Sequence, residues 1–166
     1  NGIFNIDELV IQFDYTMPLH QYNNLISFYV LPEENAISNV LMDIENNITA
    51  VFGEAVSAQY SLDGDYWTGS LMNIDISSGY WLRMADADTL NDSSRPLNPN
   101  RVYELHSGAN LISFHALPDD PDVGNVMSSL GENVEGIIGE GVSAAQISGI
   151  GWVGSITEID PTSGYW

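Results

Sequence analysis

Apolar residues occur along the chain in short runs that are separated by polar, glycine- and proline-containing segments. The runs Asn24–Val30 and Asn110–Ala116 are each followed closely by a proline, a pattern typical of strands. Behind each run, apolar residues recur at helical spacing and predict one short helix, the first through Ile37, Val40, Leu41 and Ile44 and the second through Val123, Val126, Met127 and Leu130. Further strands are predicted at 48–52, 58–62, 67–74 and 79–84, and again at 134–138, 144–147 and 152–159. The pattern predicts a mainly β fold of the β-rich α+β class, and it fits neither a doubly wound sheet nor a helix bundle.

The chain matches itself over most of its length. Leu25–Phe28 and Leu111–Phe114 both read Leu-Ile-Ser-Phe, and Gly79–Trp81 and Gly164–Trp166 both read Gly-Tyr-Trp. Between these motifs the match is collinear and includes Leu19-His20 with Leu105-His106, Gly53-Glu54 with Gly139-Glu140, and Ile74-Asp75 with Ile159-Asp160. The sequence therefore predicts two tandem repeats of about 85 residues. We name residues 19–84 the first copy and residues 105–166 the second copy.

The rest of the chain has no such counterpart. Residues 1–18 contain the β-branched and aromatic stretch Ile6–Phe13, which predicts a leading strand or the tail of a preceding module. Residues 85–104 are polar and include Pro96 and Pro99, so they are predicted to form an exposed linker. Since the chain starts at Asn1 and stops at a point where the first copy continues, we expect it to belong to a longer protein.

Charge excludes several classes of partner. The chain has 23 acidic residues against three Lys plus Arg, a formal net charge of −20. Nucleic acids and anionic membrane surfaces would repel it. No apolar run approaches the roughly 18 residues that a membrane-spanning helix needs, so no membrane insertion is expected. Cysteine is absent, which excludes disulfide and thiolate chemistry. We interpret the acid as a solubilising surface in a salty medium.

The aromatic residues allow two interpretations. Strand alternation places Trp67, Gly69 and Leu71 on one face, which favours a buried indole. Alternatively, exposed rings could form a flat platform that stacks on sugars. The candidate carbohydrate-binding residues are Trp67, Tyr80, Trp81, Trp152, Tyr165 and Trp166. In each Tyr-Trp pair one ring must face away from the core. We expect the glycine before each pair to supply the positive φ of a turn.

One acidic cluster is a candidate metal site. Asp86, Asp88 and Asp92 alternate within the linker and could offer oxygen ligands to calcium, which is the only candidate cofactor. The glycine and distal glutamate of an EF-hand loop are missing. In a chain this acidic, a solvated loop is the alternative.

No catalytic constellation is present in the sequence. Ser27 and Ser113 lie within apolar strands, whereas a nucleophile needs an exposed, tight turn. His20 and His106 match between the copies, which indicates a shared structural role, and no histidines have the spacing of a zinc site. We therefore predict that the chain is not an enzyme.

Four motifs together resemble a known type of module: Asn-Leu-Ile-Ser-Phe, Gly-Glu-Gly-Val-Ser-Ala at 139–144, Trp-Val-Gly-Ser at 152–155, and Ser-Gly-Tyr-Trp. They are similar to the tandem repeat modules of large secreted, surface or virion-associated proteins of marine bacteria and their phages. The resemblance implies an extracellular, cell-surface or virion location, with other copies or neighbouring modules as partners. We predict a non-catalytic structural or adhesion module that could self-assemble into a filament. The alternative is a carbohydrate-binding module with glycans as partners.

Overall fold

The computed structural model describes residues 13–94 and 102–166. Within these ranges the chain forms ten strands in three antiparallel sheets and two short helices, which confirms the mainly β class. The elements are β1 (Phe13–Leu19), β2 (Tyr22–Ile26), α1 (Ile37–Val40), β3 (Ile48–Gly53), β4 (Val56–Ser61), β5 (Tyr66–Gly69), β6 (Tyr80–Met84), β7 (Asp88–Ser94), α2 (Val123–Val126), β8 (Gly136–Ile138), β9 (Ser143–Ile147) and β10 (Gly151–Gly154). Most of the predicted leading strand, residues 6–12, lies outside the described ranges.

The first copy forms a five-stranded sheet in the order β2-β6-β3-β4-β5. Strand β6, which lies between β2 and β3, alternates as a strand with one buried face should: Tyr80, Leu82 and Met84 are buried, whereas Trp81 and Arg83 are not. Helix α1 adds its buried residues to the same core. Removal of this apolar surface from water stabilises the copy by about 25 cal/mol per Å².

The segment between the copies differs from the exposed linker predicted. Residues 88–94 form β7, which pairs with β1 along seven residues from Phe13↔Ser94 to Leu19↔Asp88. Leu90 is fully buried in the core of the first copy, together with Tyr15 and Met17 of β1. The ribbon of β1 and β7 therefore packs against the first copy, although β7 is polar at most positions.

The second copy forms a smaller sheet in the order β10-β9-β8. The amide nitrogens of Ile138 and Trp166 each donate to the other residue's carbonyl at 2.9 Å, and Ile112 pairs with Tyr165. These contacts extend the sheet in the same order as in the first copy. The predicted strand Asn110–Ala116 is thus reduced to isolated bridges of Ile112, one to Tyr165 and one to Ser78 of the first copy.

Both predicted helices are shorter than expected, since each α-helix has four residues. In the first copy a 3-10 turn at Met42–Ile44 completes the predicted span, whereas in the second copy the 3-10 turn at Gly131–Asn133 lies beyond it. Asp122 caps α2, since its Oδ1 accepts hydrogen bonds from the amides of Gly124 at 2.9 Å and Asn125 at 3.3 Å. Across the described ranges, no helix has the length and apolar content needed to cross a membrane.

Candidate functional site

The two copies contact each other through the backbone of strand β2 and the segment before the final Tyr-Trp pair. The amide of Ser27 donates to the carbonyl of Thr162 at 2.9 Å, and the amide of Gly164 donates to the carbonyl of Leu25 at 3.2 Å. The hydroxyl of Ser27 donates to the carbonyl of Pro161 at 2.7 Å. An edge of the first sheet is therefore satisfied by the second copy.

The same contact is made a second time with the roles of the copies exchanged. The amide of Ser113 donates to the carbonyl of Ser77 at 3.1 Å, and the amide of Gly79 donates to the carbonyl of Leu111 at 3.2 Å. The hydroxyl of Ser113 donates to the carbonyl of Ile76. Residues that match in sequence thus occupy matching places, and the contact has the arrangement of a two-fold related pair.

Two glycines lie where the copies approach most closely. A Cβ added to Gly79 would be 2.8 Å from the carbonyl oxygen of Ile112 and 3.2 Å from the Cα of Gly164. A Cβ added to Gly164 would be 2.6 Å from the carbonyl oxygen of Ile26. Neither glycine has a positive φ, so the predicted turn requirement is wrong. Glycine is needed here because a second backbone passes too close for a side chain.

Each copy also sends a carboxylate across to the other. Glu140, in the turn between β8 and β9, lies with its Oε1 2.8 Å from His20 Nε2, and its Oε2 accepts from the amide of Leu25 at 2.8 Å. We name this set the first clasp. The side chain of Asn24 holds His20 in place, because it exchanges two hydrogen bonds of 2.8 Å with the His20 backbone.

The second clasp is the counterpart with Glu54, in the turn between β3 and β4. Its Oε2 accepts from the amide of Leu111 at 2.8 Å, and its Oε1 contacts Nε2 of His106. Asn110 again holds the histidine backbone, through hydrogen bonds of 2.9 and 3.0 Å. Four matched residues therefore build each clasp, and each clasp takes its carboxylate from the opposite copy.

The clasps favour charged side chains. In each clasp histidine, Nδ1 faces a backbone carbonyl and Nε2 faces a carboxylate, so only the doubly protonated ring donates to both. The carbonyls of Gln21 and Ser107, followed by the carboxylates, raise the pKa of His20 and His106 above the usual value. The amide of Leu111, more than His106, lowers the pKa of Glu54.

In each clasp the histidine side chain that faces the carboxylate is exposed, whereas the leucine whose amide donates to the carboxylate is buried. The side chains of His20 and His106 are 62% and 59% exposed, so water and salt screen their attraction to the carboxylates. Leu25 and Leu111 are only 4% and 3% exposed. The hydrogen bonds from these two amides to a charged oxygen are therefore the stronger component of each clasp.

The candidate carbohydrate-binding residues differ in how far they are exposed. Tyr80 and Tyr165 are buried, with 2% and 4% of their surface exposed, and their hydroxyls accept hydrogen bonds from the amides of Asp75 at 2.8 Å and Asp160 at 2.9 Å. They present no ring face to a sugar, and their assignment to a sugar platform is corrected to a structural role. Burial of the tyrosine leaves its neighbour, Trp81, facing the other side of the sheet, as the alternation predicts.

The four tryptophans are half-buried. Trp67 and Trp152 are partly buried and pack against the cores of their copies. The ring of Trp67 lies 5.1 Å from that of Tyr60. Trp81 is the cross-strand partner of Phe52, which is exposed. Trp166 exchanges backbone hydrogen bonds with Ile138, which is also exposed. Each copy thus keeps one indole at its core and one beside an exposed apolar residue.

The candidate calcium ligands are engaged in other contacts. Asp88 Oδ2 accepts from the Asn47 side chain at 2.9 Å and its Oδ1 accepts from the amide of Thr89 at 2.7 Å, while Asp86 lies 3.5 Å from the Gln21 side chain. The side chain of Asp92 lies outside the described part of the structure. Among the described residues, no three His, Cys, Asp or Glu side chains are grouped to hold a metal ion.

The contact between the copies consists of hydrogen bonds that hold one copy against the other. Ser27 and Ser113 are fully buried and their hydroxyls are bonded to carbonyls of the opposite copy, so neither is placed as an accessible nucleophile. Sequence reasoning does not identify Glu54 and Glu140 as functional residues. Their matched positions in the two copies are the one signal that could have drawn attention to them.

Comparison of the chain with protein-family models, with curated proteins and with solved structures gives no match.

Proposed function

We propose that the chain is a non-catalytic structural and interaction module of a secreted, cell-surface or virion protein, in which the two copies act as one docked unit. The observation that supports it is the reciprocal contact, in which each copy supplies a clasp carboxylate and three backbone carbonyls to the other. Such a contact fixes the relative orientation of the copies. A module that transmits force or spaces other modules needs that rigidity.

The composition supports the same proposal. A net charge of −20 keeps the chain soluble at the high ionic strength of seawater, where exposed charges are screened within a few ångströms. Under these conditions exposed ion pairs contribute little. The docked unit instead depends on backbone hydrogen bonds and buried apolar surface, and both persist in salt.

The test is the shape of the intact chain in solution, measured by small-angle X-ray scattering. A docked pair should have a radius of gyration of about 15 Å, the value for a compact chain of this length. The variant Glu54→Ala/Glu140→Ala should be larger. Its matched control, Glu33→Ala/Glu132→Ala, changes the charge equally at two exposed positions and should retain the wild-type value. A wild-type chain as extended as the clasp variant would refute docking.

Carbohydrate binding stays a second candidate because of one specific feature. Trp81 and Phe52 are direct cross-strand partners on the outer face of the first sheet, where Phe52 is exposed. Two adjacent rings can stack on sugar faces. A glycan screen read by tryptophan fluorescence tests this, since Trp81→Ala should abolish a response that Trp152→Ala leaves intact.

A further inference from the structure

We propose that the surface through which the copies dock also joins separate chains, so that the first copy of one chain docks with the second copy of another. The partner is a second molecule of the same protein. This inference rests on the proposed function and extends it, because it identifies both the surface and the partner through which the module assembles.

The geometry supports it because both copies carry the same surface. Each copy presents a turn glutamate, a histidine, the buried amide of a leucine and a buried serine, namely Glu54, His20, Leu25 and Ser27 in the first copy and Glu140, His106, Leu111 and Ser113 in the second. Every contact that one copy makes, the other returns. Such a self-complementary surface cannot distinguish a copy in the same chain from one in another chain.

The covalent connection between the copies decides which pairing dominates at a given concentration. It holds the second copy near the first at an effective concentration in the millimolar range, so dilute chains are closed monomers. Exchange between chains becomes competitive when the protein itself is that concentrated, as in a dense surface layer. Two chains that exchange copies form both clasps again in each pair of docked copies.

The net negative charge opposes the approach of two chains, so salt should affect the exchange of copies between them. Two molecules of charge −20 repel each other over a Debye length of about 10 Å at 0.1 M salt and about 3 Å at 1 M. The amide-to-carboxylate hydrogen bonds of the clasps are buried on the leucine side and less sensitive to salt. Exchange between chains should therefore increase with ionic strength.

A charge exchange between two variants tests the proposal. In a Glu54→Lys chain a cation faces the second clasp's histidine, and in a His106→Glu chain two carboxylates face each other, so neither chain closes well on itself. When the two are mixed, the first copy of the Glu54→Lys chain meets the second copy of the His106→Glu chain, which places a lysine against a glutamate. The remaining two copies meet with wild-type residues.

Light scattering on the mixture should show a species of twice the chain mass that neither variant forms alone to a comparable extent. A single chain carrying both substitutions, Glu54→Lys/His106→Glu, has the same opposite charges within one chain and the same Leu111 amide without an acceptor as the mixed dimer, so it should form less dimer than the mixture at the same concentration. The control mixture of Glu33→Lys with Ser129→Glu, both at exposed positions, should also stay monomeric. The proposal is overturned if the test mixture remains monomeric up to millimolar concentration, or if the control mixture dimerises equally.

A wild-type measurement covers the case in which the charged variants fail to fold. Chains labelled with a donor or an acceptor dye are mixed at millimolar concentration in 1 M salt, and energy transfer is recorded directly after dilution. Transfer is expected for the wild type and for Glu33→Ala/Glu132→Ala, and its absence from both would refute exchange. If the wild type is compact in scattering but shows no transfer, only this inference fails. If it is extended, the proposed function fails first.

Discussion

Replacement of Glu54 by alanine should open one side of the docked pair. Glu54 Oε2 accepts a hydrogen bond of 2.8 Å from the backbone amide of Leu111. Because Leu111 is only 3% exposed, water does not readily replace the lost acceptor. A buried N–H left without an acceptor costs roughly 1–3 kcal/mol. The contact with His106 adds little, since exposed ion pairs are screened. We expect the free energy of unfolding to fall by about 2 kcal/mol.

Urea unfolding at neutral pH measures this loss, with tryptophan fluorescence and circular dichroism recorded in parallel because each copy contains tryptophans. At this chain length, 2 kcal/mol corresponds to a decrease in Tm of about 4–8 °C. Glu54→Gln keeps an oxygen that can accept from the same amide, so it should lose less than Glu54→Ala. The exposed control Glu33→Ala should stay within about 0.5 kcal/mol of the wild type.

The second clasp carboxylate sharpens the test. Glu140→Ala removes the acceptor of the Leu25 amide and should cost a similar amount. Because both carboxylates hold one interface, the double variant should lose less than the two single losses added together, once the first loss has opened the contact. A Glu54→Ala chain as stable as the wild type would refute the reasoning, and so would full additivity with unchanged dimensions in scattering.

Three further predictions follow from the same structure. The pKa values of His20 and His106 are raised in the folded state, so the stabilisation from their protonated rings should be complete below a pH of about 6.5 and lost as the pH rises through the folded-state pKa values. Urea midpoints across pH 5–9 measure this loss, and the double variant His20→Gln/His106→Gln should not show it. Ala55 has a φ of 59°, where its matched residue Gly141 has 69°, so Ala55→Gly should stabilise the chain and Gly141→Ala should destabilise it, each by about 1 kcal/mol in thermal unfolding. Gly79→Ala should cost about 1–3 kcal/mol by forcing the copies apart at a carbonyl 2.8 Å from the new Cβ, and an unchanged urea midpoint would refute the close approach.

The sequence predicts the sheets because their core positions obey local rules. Tyr80, Leu82 and Met84 alternate with less buried neighbours, and a period of two is visible in the letters alone. The helices were placed correctly but were shorter than expected. Each α-helix ends after four residues, and a 3-10 turn follows after one residue in the first copy and after four in the second. Apolar spacing does not distinguish one continuous helix from two short turns.

The clasps could not be predicted in the same way. Glu54 accepts a hydrogen bond from an amide 57 positions along the chain, and such a contact leaves no local pattern. In a chain with 23 acidic residues, one more glutamate in an exposed turn indicates only solvation. Strand β7 was missed for a related reason. Among the described side chains of β7, Leu90 is the one that belongs to the core, and a single leucine among polar residues shows no alternation.

Comparison of the two copies with each other shows that the docking surface is among the parts they share. Where a side chain takes part in the contact, matched residues are identical, as with His20 and His106, Glu54 and Glu140, and Ser27 and Ser113. Where a side chain would clash, both copies have glycine, at Gly79 and Gly164. Where only a backbone carbonyl takes part, they differ, as with Ile76 and Pro161 or Ser77 and Thr162. On the outer sheet faces they also differ, with Gln59 and Thr68 replaced by the exposed Ala145 and Val153. A reciprocal contact constrains both copies to the same side chains, whereas the outer faces are free to meet different surroundings. The outer faces are therefore where the two copies can differ in what they bind, and docking is the property for which they must remain alike.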